Sequence, residues 1–236
     1  MKVEKILATI VVLAALAASY LYLEIGKNDY QKGGRLATIK LQGNPLRELT
    51  LEEKLKAYQK APEVVSPQGF LNTEGKEITF GEFVGKKVVL VDFWTYSCIN
   101  CQRTLPYLNA WYEKYKNQGL EIISIHTPEF AFEKLEKNVQ NAVNEAKIKY
   151  PVVLDNNFAT WNAFGNQYWP RKYLVDIDGF IVYDHIGEGA YEETERLIQK
   201  ALKERAVRLD ENLASIDTIV DPKNKIVVQS GMVKSP

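Results

Sequence analysis

Cys98 and Cys101 are the two cysteines of the chain, held in one Cys-x-x-Cys by Ile99 and Asn100. A bridge closed over so short a loop removes little freedom from an unfolded chain, so the spacing suits redox chemistry better than stabilisation. The surrounding segment reads VVLVDFWTYSCINC from Val88: a buried strand, an aromatic and polar corner, then two thiols opening a helix. At a helix N-terminus the unpaired amides and the positive end of the dipole favour an anion, so Cys98 is expected to ionise near neutral pH and to act as nucleophile. Cys101, one turn on, is placed to attack the mixed disulfide that Cys98 forms with a substrate. The competing use of Cys-x-x-Cys is half of a zinc site. Its other ligands would have to come from His126 and His185, so the expectation is no metal and no cofactor beyond the redox-active Cys98-Cys101 disulfide.

Asp92 stands six residues before Cys98 in a strand otherwise made of Val, Leu and Phe. If its side chain faces the cysteines, burial raises its pKa and lets it take and return the proton of Cys101. Strand alternation alone does not fix that face, and an exposed strand end is the competing reading. His126 closes a second apolar strand where the Cys98 helix begins, either tuning the thiolate or simply capping the strand. Trp94 and Tyr96 before the cysteines, with Tyr168 and Trp169 further on, form either a substrate-binding apolar rim for unfolded chain or part of the core. Glu188, between two glycines, reads as a surface carboxylate, and His185 has no evident partner.

Elements must bring these positions together. The pattern predicts a short strand at Glu77–Phe80, a buried strand at Lys87–Phe93, and a helix from Cys98 past Tyr115 that Gly119 stops. A strand over Leu120–His126 follows, then a helix from Phe130 to about Lys147, a strand at Val152–Leu154 and a short helix over Phe158–Phe164. Strands Lys172–Val175 and Ile181–Tyr183 flank an Asp178-Gly179 hairpin turn, before a last helix from Tyr191 to about Glu204. This order, β-α-β-α-β-α-β-β-α, predicts an α/β fold: one central mixed β-sheet flanked by helices. The stretch from Thr127 to Tyr168 holds more than a plain crossover needs, so an added helix is expected there.

The pattern VDFW-x-x-x-C-x-x-C resembles the thioredoxin superfamily, matching its buried aspartate and two cysteines at Asp92, Cys98 and Cys101. Longer stretches, WTYSCINCQRTLPYL, IHTPEFAFEK, YPVVLDNNFATW, YWPRKYLVD and GEGAY, are similar to the thioredoxin-like domain of DipZ-type disulfide-interchange proteins within the TlpA-like group. The likeness runs from about Pro62 to Arg205. It implies a thioredoxin-like fold with a TlpA-type insertion and a cis peptide at Trp169-Pro170, where Trp169 would pair its backbone with an extended substrate; an ordinary trans proline opening the next strand is the alternative. It also implies a thiol-disulfide oxidoreductase, favouring a reductase of exported protein thiols, such as apocytochrome cysteines or misoxidised proteins, fed by a CcdA-type membrane electron donor. Two departures matter. DipZ-type proteins carry their own multi-span membrane domain, where this sequence has one candidate span. Many TlpA-type reductases place a glutamate three residues after the second cysteine, where Thr104 stands here, leaving Asp92 as the main acid. The rival functions are a thiol oxidant, a redoxin-type peroxidase, whose usual proline-containing cysteine context is missing between Phe93 and Cys101, and a non-catalytic client-binding module.

The remaining sequence bears on location. Ile6 to Leu23 has no charged side chain and follows Lys2 and Lys5; as a helix it spans about 27 Å, close to a hydrocarbon core of about 30 Å. It is expected to anchor the chain with its domain on the extracytoplasmic side, the alternative being a signal cleaved near Ala15-Leu16-Ala17. Residues 24–61 read as a polar stalk containing one short helix, with a Thr50/Glu53 capping box and Leu51, Leu55 and Tyr58 on one face. Residues 62–205 form the thioredoxin-like domain, and 206–236 a tail in which Ile216–Val220 and Lys225–Val228 make either a small hairpin or a docked extension. Thirty basic against thirty acidic side chains point to no nucleic-acid partner.

Overall fold

The structure, a computed structural model, describes residues 49–222. The expected anchor 6–23, most of the polar stalk and the Lys225–Val228 part of the tail lie outside the described residues. Among those residues, no helix is long and apolar enough to cross a membrane.

Among the described residues, five helices, α1 (Leu51–Ala57), α2 (Ile99–Tyr115), α3 (Glu136–Glu145), α4 (Ala159–Ala163) and α5 (Tyr191–Leu209), surround six strands. The strands are β1 (Gly69–Leu71), β2 (Val88–Trp94), β3 (Leu120–His126), β4 (Val152–Leu154), β5 (Arg171–Val175) and β6 (Ile181–Ile186), in the spatial order β1-β4-β3-β2-β5-β6. The β2/β3 and β3/β4 pairs are parallel, whereas β1/β4, β2/β5 and β5/β6 are antiparallel. With neighbours on both sides and helices on both faces, β2 and β3 are buried end to end, which is why they read as unbroken apolar runs.

Alternation along β2 feeds two cores. Val88, Leu90 and Trp94 pack with Leu105, Leu108 and Trp111 of α2 and with Ile198 and Leu202 of α5. Val89, Val91 and Phe93 pack on the opposite face with Trp161 of α4 and Tyr173 of β5. Even-numbered β2 positions therefore look towards α2, and Asp92 is one of them. At the foot of α2 the chain reverses through Gly119, whose φ of +98° suits glycine and whose hydrogen faces the Arg205 guanidinium, so that any Cβ there would collide with it. Gly119 is thus the expected stop, after one 3-10 turn, Lys116–Gln118.

Four local expectations differ from the structure. Glu77–Phe80 is not a strand, because side-chain carboxylates take its amides: Thr79 donates to Glu82, and Phe80 and Gly81 donate to Glu63. The sheet edge is Gly69–Leu71 instead. The expected Phe130–Lys147 helix is broken into a 3-10 turn, Ala131–Lys134, and α3, separated by an extended Leu135. The last helix runs on to Leu209, where Asp210 caps it in the left-handed region. In α1 the capping box forms as expected, but Leu51 and Leu55 are exposed and Lys54 is the buried residue. Its ammonium sits among Asp176 (2.6 Å), Asp178 (2.8 Å) and Glu204, so α1 is fastened by charge rather than by its leucines. After α5, the Ile216–Val220 stretch docks without forming a strand: Ile216 is enclosed, the Thr218 carbonyl accepts from Gln199 (3.0 Å), and the Val220 amide donates to Glu195 (2.9 Å).

Candidate active site

Cys98 is the N-cap of α2, and its sulfur accepts from the Cys101 amide at 3.4 Å. Hydrogen bonds from the Cys101 thiol and from the Cys101 and Asn100 amides outweigh partial burial and lower its pKa from 9.0 to about 6. Near neutral pH it is a thiolate, half-open to solvent. Cys101 is enclosed, and burial together with the neighbouring sulfur holds its thiol well above the ordinary range. The two sulfurs are thus divided by environment into an attacking thiolate and a protonated thiol in reserve.

Asp92 lies behind them. It is only 1% exposed, and burial raises its pKa from 3.8 to about 7, opposed by the Lys172 ammonium and assisted by the Cys98 charge. One carboxylate oxygen, Oδ1, has no hydrogen-bond partner among the described residues. The exposed-strand-end reading does not hold, because β2 is central and Asp92 shares the α2-facing side with Leu90 and Trp94.

Lys172, which sequence reasoning missed, stands opposite Asp92 in the β2/β5 register. It is fully enclosed, its Nζ donating to the Gly187 carbonyl at 3.1 Å. Burial lowers its pKa to about 8, against the pull of Asp92 and Cys101. A signal was present: a lysine at the alternate position of KYLV, facing the strand that carries the only internal acid of VVLVDFW. Neither strand shows its neighbour by itself.

The rim is rearranged relative to expectation. Trp94 is core, 1% exposed, because it is an even-numbered β2 residue aimed at α2. Tyr96 remains at the surface, stacked on the His126 ring at 5.7 Å. His126 is fully buried, and burial pulls its pKa down to about 4. It is therefore neutral near pH 7 and supplies no cation to the thiolate, contrary to the electrostatic tuning role; it packs between Trp94 and Tyr96. Trp169-Pro170 is cis as expected. The Trp169 carbonyl lies 4.0 Å from the Cys98 sulfur, and its indole donates to the Thr127 carbonyl at 3.0 Å. The Pro170 carbonyl is already used by the Gly187 amide, so the backbone carbonyl that faces Cys98 is that of Trp169. Thr104 back-bonds to the Asn100 carbonyl at 2.9 Å and meets the Tyr191 hydroxyl, adding no acid. Glu188 pairs with Arg103 at 3.2 Å, and its carbonyl meets His185 Nε2. Among the described residues, the carboxylate group spaced for a metal is Asp176, Asp178 and Glu204, and Lys54 fills it.

A mixed sheet flanked by helices, with a low-pKa cysteine capping a helix and a second cysteine sealed behind it, defines a thioredoxin-like domain. The sequence pattern of the Redoxin family matches residues 56–202, and the chain belongs to that family. Over 151 residues it is 44% identical to Protein DipZ of Mycobacterium bovis, covering 64% of this chain but 22% of that protein; the chain thus spans about a fifth of this longer relative. It is 33% identical over 151 residues to thiol-disulfide oxidoreductase ResA of Bacillus thuringiensis subsp. konkukian, covering 64% of this chain and 82% of the relative. Two solved structures share the fold. One is a thioredoxin-like protein in the oxidised form, at TM-score 0.57 and 26% identity, covering 62% of this chain and 97% of that one. The other is a putative thiol:disulfide interchange protein DsbE from Chlorobium tepidum, at TM-score 0.54 and 23% identity, covering 61% and 96%.

Proposed function

We propose that this protein is a thiol-disulfide oxidoreductase that reduces disulfides of exported proteins on the extracytoplasmic side of a membrane. The observation that carries the reading is the division of labour between the two sulfurs: an accessible Cys98 thiolate at the head of α2 and a protonated, buried Cys101 behind it. In the reaction, the Cys98 thiolate attacks one sulfur of a substrate disulfide. A mixed disulfide forms, and the other substrate sulfur leaves as a thiolate that takes a proton from solvent. The substrate strand lies along the Trp169 backbone beside Tyr96. Asp92, ionised in part near pH 7, then accepts the Cys101 proton, directly or through a water, and Cys101 attacks the Cys98 sulfur. The second substrate thiolate departs, leaving Cys98 and Cys101 joined as a disulfide. Two electrons have passed to the substrate, and a dithiol donor must restore them. The resemblance to DipZ-type domains favours a CcdA-type membrane protein as that donor, and the apolar segment 6–23 supports membrane anchoring.

Substitution at the cysteines tests this reading. Cys101→Ser removes the resolving thiol and is expected to accumulate mixed disulfides between Cys98 and client proteins, visible on non-reducing gels and lost on reduction. Cys98→Ser is expected to trap nothing and to lose disulfide reductase activity. A Cys98→Ser chain that still restored function in cells would overturn the enzymatic reading in favour of a non-catalytic binding module, and rapid turnover of hydroperoxide by the wild type would favour a peroxidase.

A further inference from the structure

The segment between β3 and α3 holds a buried carboxylate that the mechanism leaves unused. Glu133 lies in the 3-10 turn Ala131–Lys134, and its side chain is fully enclosed. Burial raises its pKa, but hydrogen bonds from Ser97, Thr95 and the Phe130 and Glu129 amides outweigh that and hold it below the ordinary carboxylate value. It is therefore a buried anion. No basic side chain pairs with it among the described residues; N–H and O–H donors compensate it instead. Oε1 accepts from the Ser97 hydroxyl (2.6 Å) and the Ser97 amide (3.3 Å), and Oε2 accepts from the amides of Glu129 (2.6 Å) and Phe130 (2.9 Å).

What these donors belong to gives the carboxylate its meaning. Ser97 immediately precedes the nucleophile, in the corner closed by the Cys98 amide donating to the Thr95 carbonyl at 3.3 Å. Glu129 and Phe130 belong to the inserted turn, which also touches the corner through the Tyr96 hydroxyl on the Phe132 carbonyl. Hydrogen bonds to a charged acceptor are the strong ones, so this carboxylate ties two irregular segments to one another. The same contacts explain why the predicted Phe130–Lys147 helix is broken. With Glu133 turned back onto its own Glu129 and Phe130 amides and onto Ser97, the chain takes a 3-10 turn and an extended Leu135 before α3 starts.

We propose that Glu133 is a positioning residue for the nucleophile, pinning Ser97 to the inserted turn so that the Cys98 sulfur is held against the first amides of α2. The proposal rests on Cys98 being the attacking thiol, and it makes a prediction opposite in sign to simple electrostatics. Removing a negative charge near a thiolate makes the thiolate easier to form. Releasing Ser97 withdraws amide donors from the sulfur and makes it harder.

The experiment is the pH dependence of iodoacetamide alkylation in the full chain, which reads Cys98 alone because Cys101 is enclosed. In Glu133→Gln the midpoint is expected to rise from about 6 by one pH unit or more, with the rate at pH 6 falling about fivefold and the limiting alkaline rate unchanged. Ser97→Ala, which keeps the amide but loses the 2.6 Å hydroxyl bond, is expected to move the midpoint the same way by less. It decides the matter if Glu133→Gln fails to fold. As a control, Glu195→Gln weakens another buried carboxylate, one bound to Trp111, Tyr115 and Val220. It is expected to lower thermal stability without moving the midpoint. A depressed wild-type midpoint left in place or lowered by the two variants overturns the Glu133 role alone. A wild-type midpoint near the ordinary thiol value overturns that role and the active-site reading together.

Discussion

Replacing Asp92 by Asn should make the protein more stable and less active, and both changes should depend on pH. The carboxyl is nearly isosteric with the amide, so the substitution chiefly removes an ionisation. In the fold, Asp92 is raised by burial from 3.8 to about 7. Between those values the unfolded chain has released the proton while the folded one still holds it, so stability falls as pH rises through this window and levels off above 7. At 1.36 kcal/mol per pH unit the full penalty is on the order of 4 kcal/mol. Part of it is returned when Asp92 goes, because the enclosed Lys172 then loses the charge that opposes its own burial. The expected net gain is about 2 kcal/mol at pH 8, or roughly 4–8 °C in Tm for a domain of this size, shrinking towards zero at pH 4. Denaturant melts of the reduced protein at pH 4, 6 and 8 measure it. Resolution of a preformed Cys98 mixed disulfide should meanwhile slow about 10²-fold, the usual worth of a positioned base. A stability change of the same size at every pH, or a loss at pH 8, would refute the reasoning that places a buried, titrating carboxylate at Asp92.

Two further substitutions address the charges around this site and at the edge of the domain. Lys172→Met removes the cation that lowers the Asp92 pKa, so the midpoint for mixed-disulfide resolution should move up by about one pH unit; stopped-flow release of a chromogenic thiol measures it, and an unmoved midpoint would uncouple the pair. Lys54→Met leaves Asp176, Asp178 and Glu204 facing one another without their cation; since Asp178 and Glu204 keep some solvent contact, the expected cost is about 2 kcal/mol, read by thermal or denaturant unfolding.

The parts of the fold legible in the sequence are those set by local pattern. The runs at Leu120–His126 and Val152–Leu154, the helix opened by the cysteines and the Asp178-Gly179 turn each carry their own signal, and each stands where expected. The misread parts were decided by partners distant in sequence. The amides of Phe80 and Gly81 look free for a sheet until Glu63 is brought alongside, and Glu133 looks like an ordinary helical surface residue until Ser97 meets it. The leucines of α1 suggested an apolar face, yet Lys54 is the buried residue, because its three carboxylates come from the hairpin turn and α5. At the site, Cys98, Cys101 and Asp92 were legible from spacing and from an acid within an apolar strand. Lys172 required the β2/β5 register, and the neutrality of His126 required its burial.

The reduction potential of the Cys98-Cys101 pair tests the central claim most directly. It is measured on the chain after residue 24 by equilibration in glutathione or dithiothreitol buffers. A protein that donates electrons to exported disulfides should lie near or below about −250 mV, in the range of thioredoxin, whereas a value near about −120 mV would make it an oxidant that introduces disulfides and would contradict the reductase assignment.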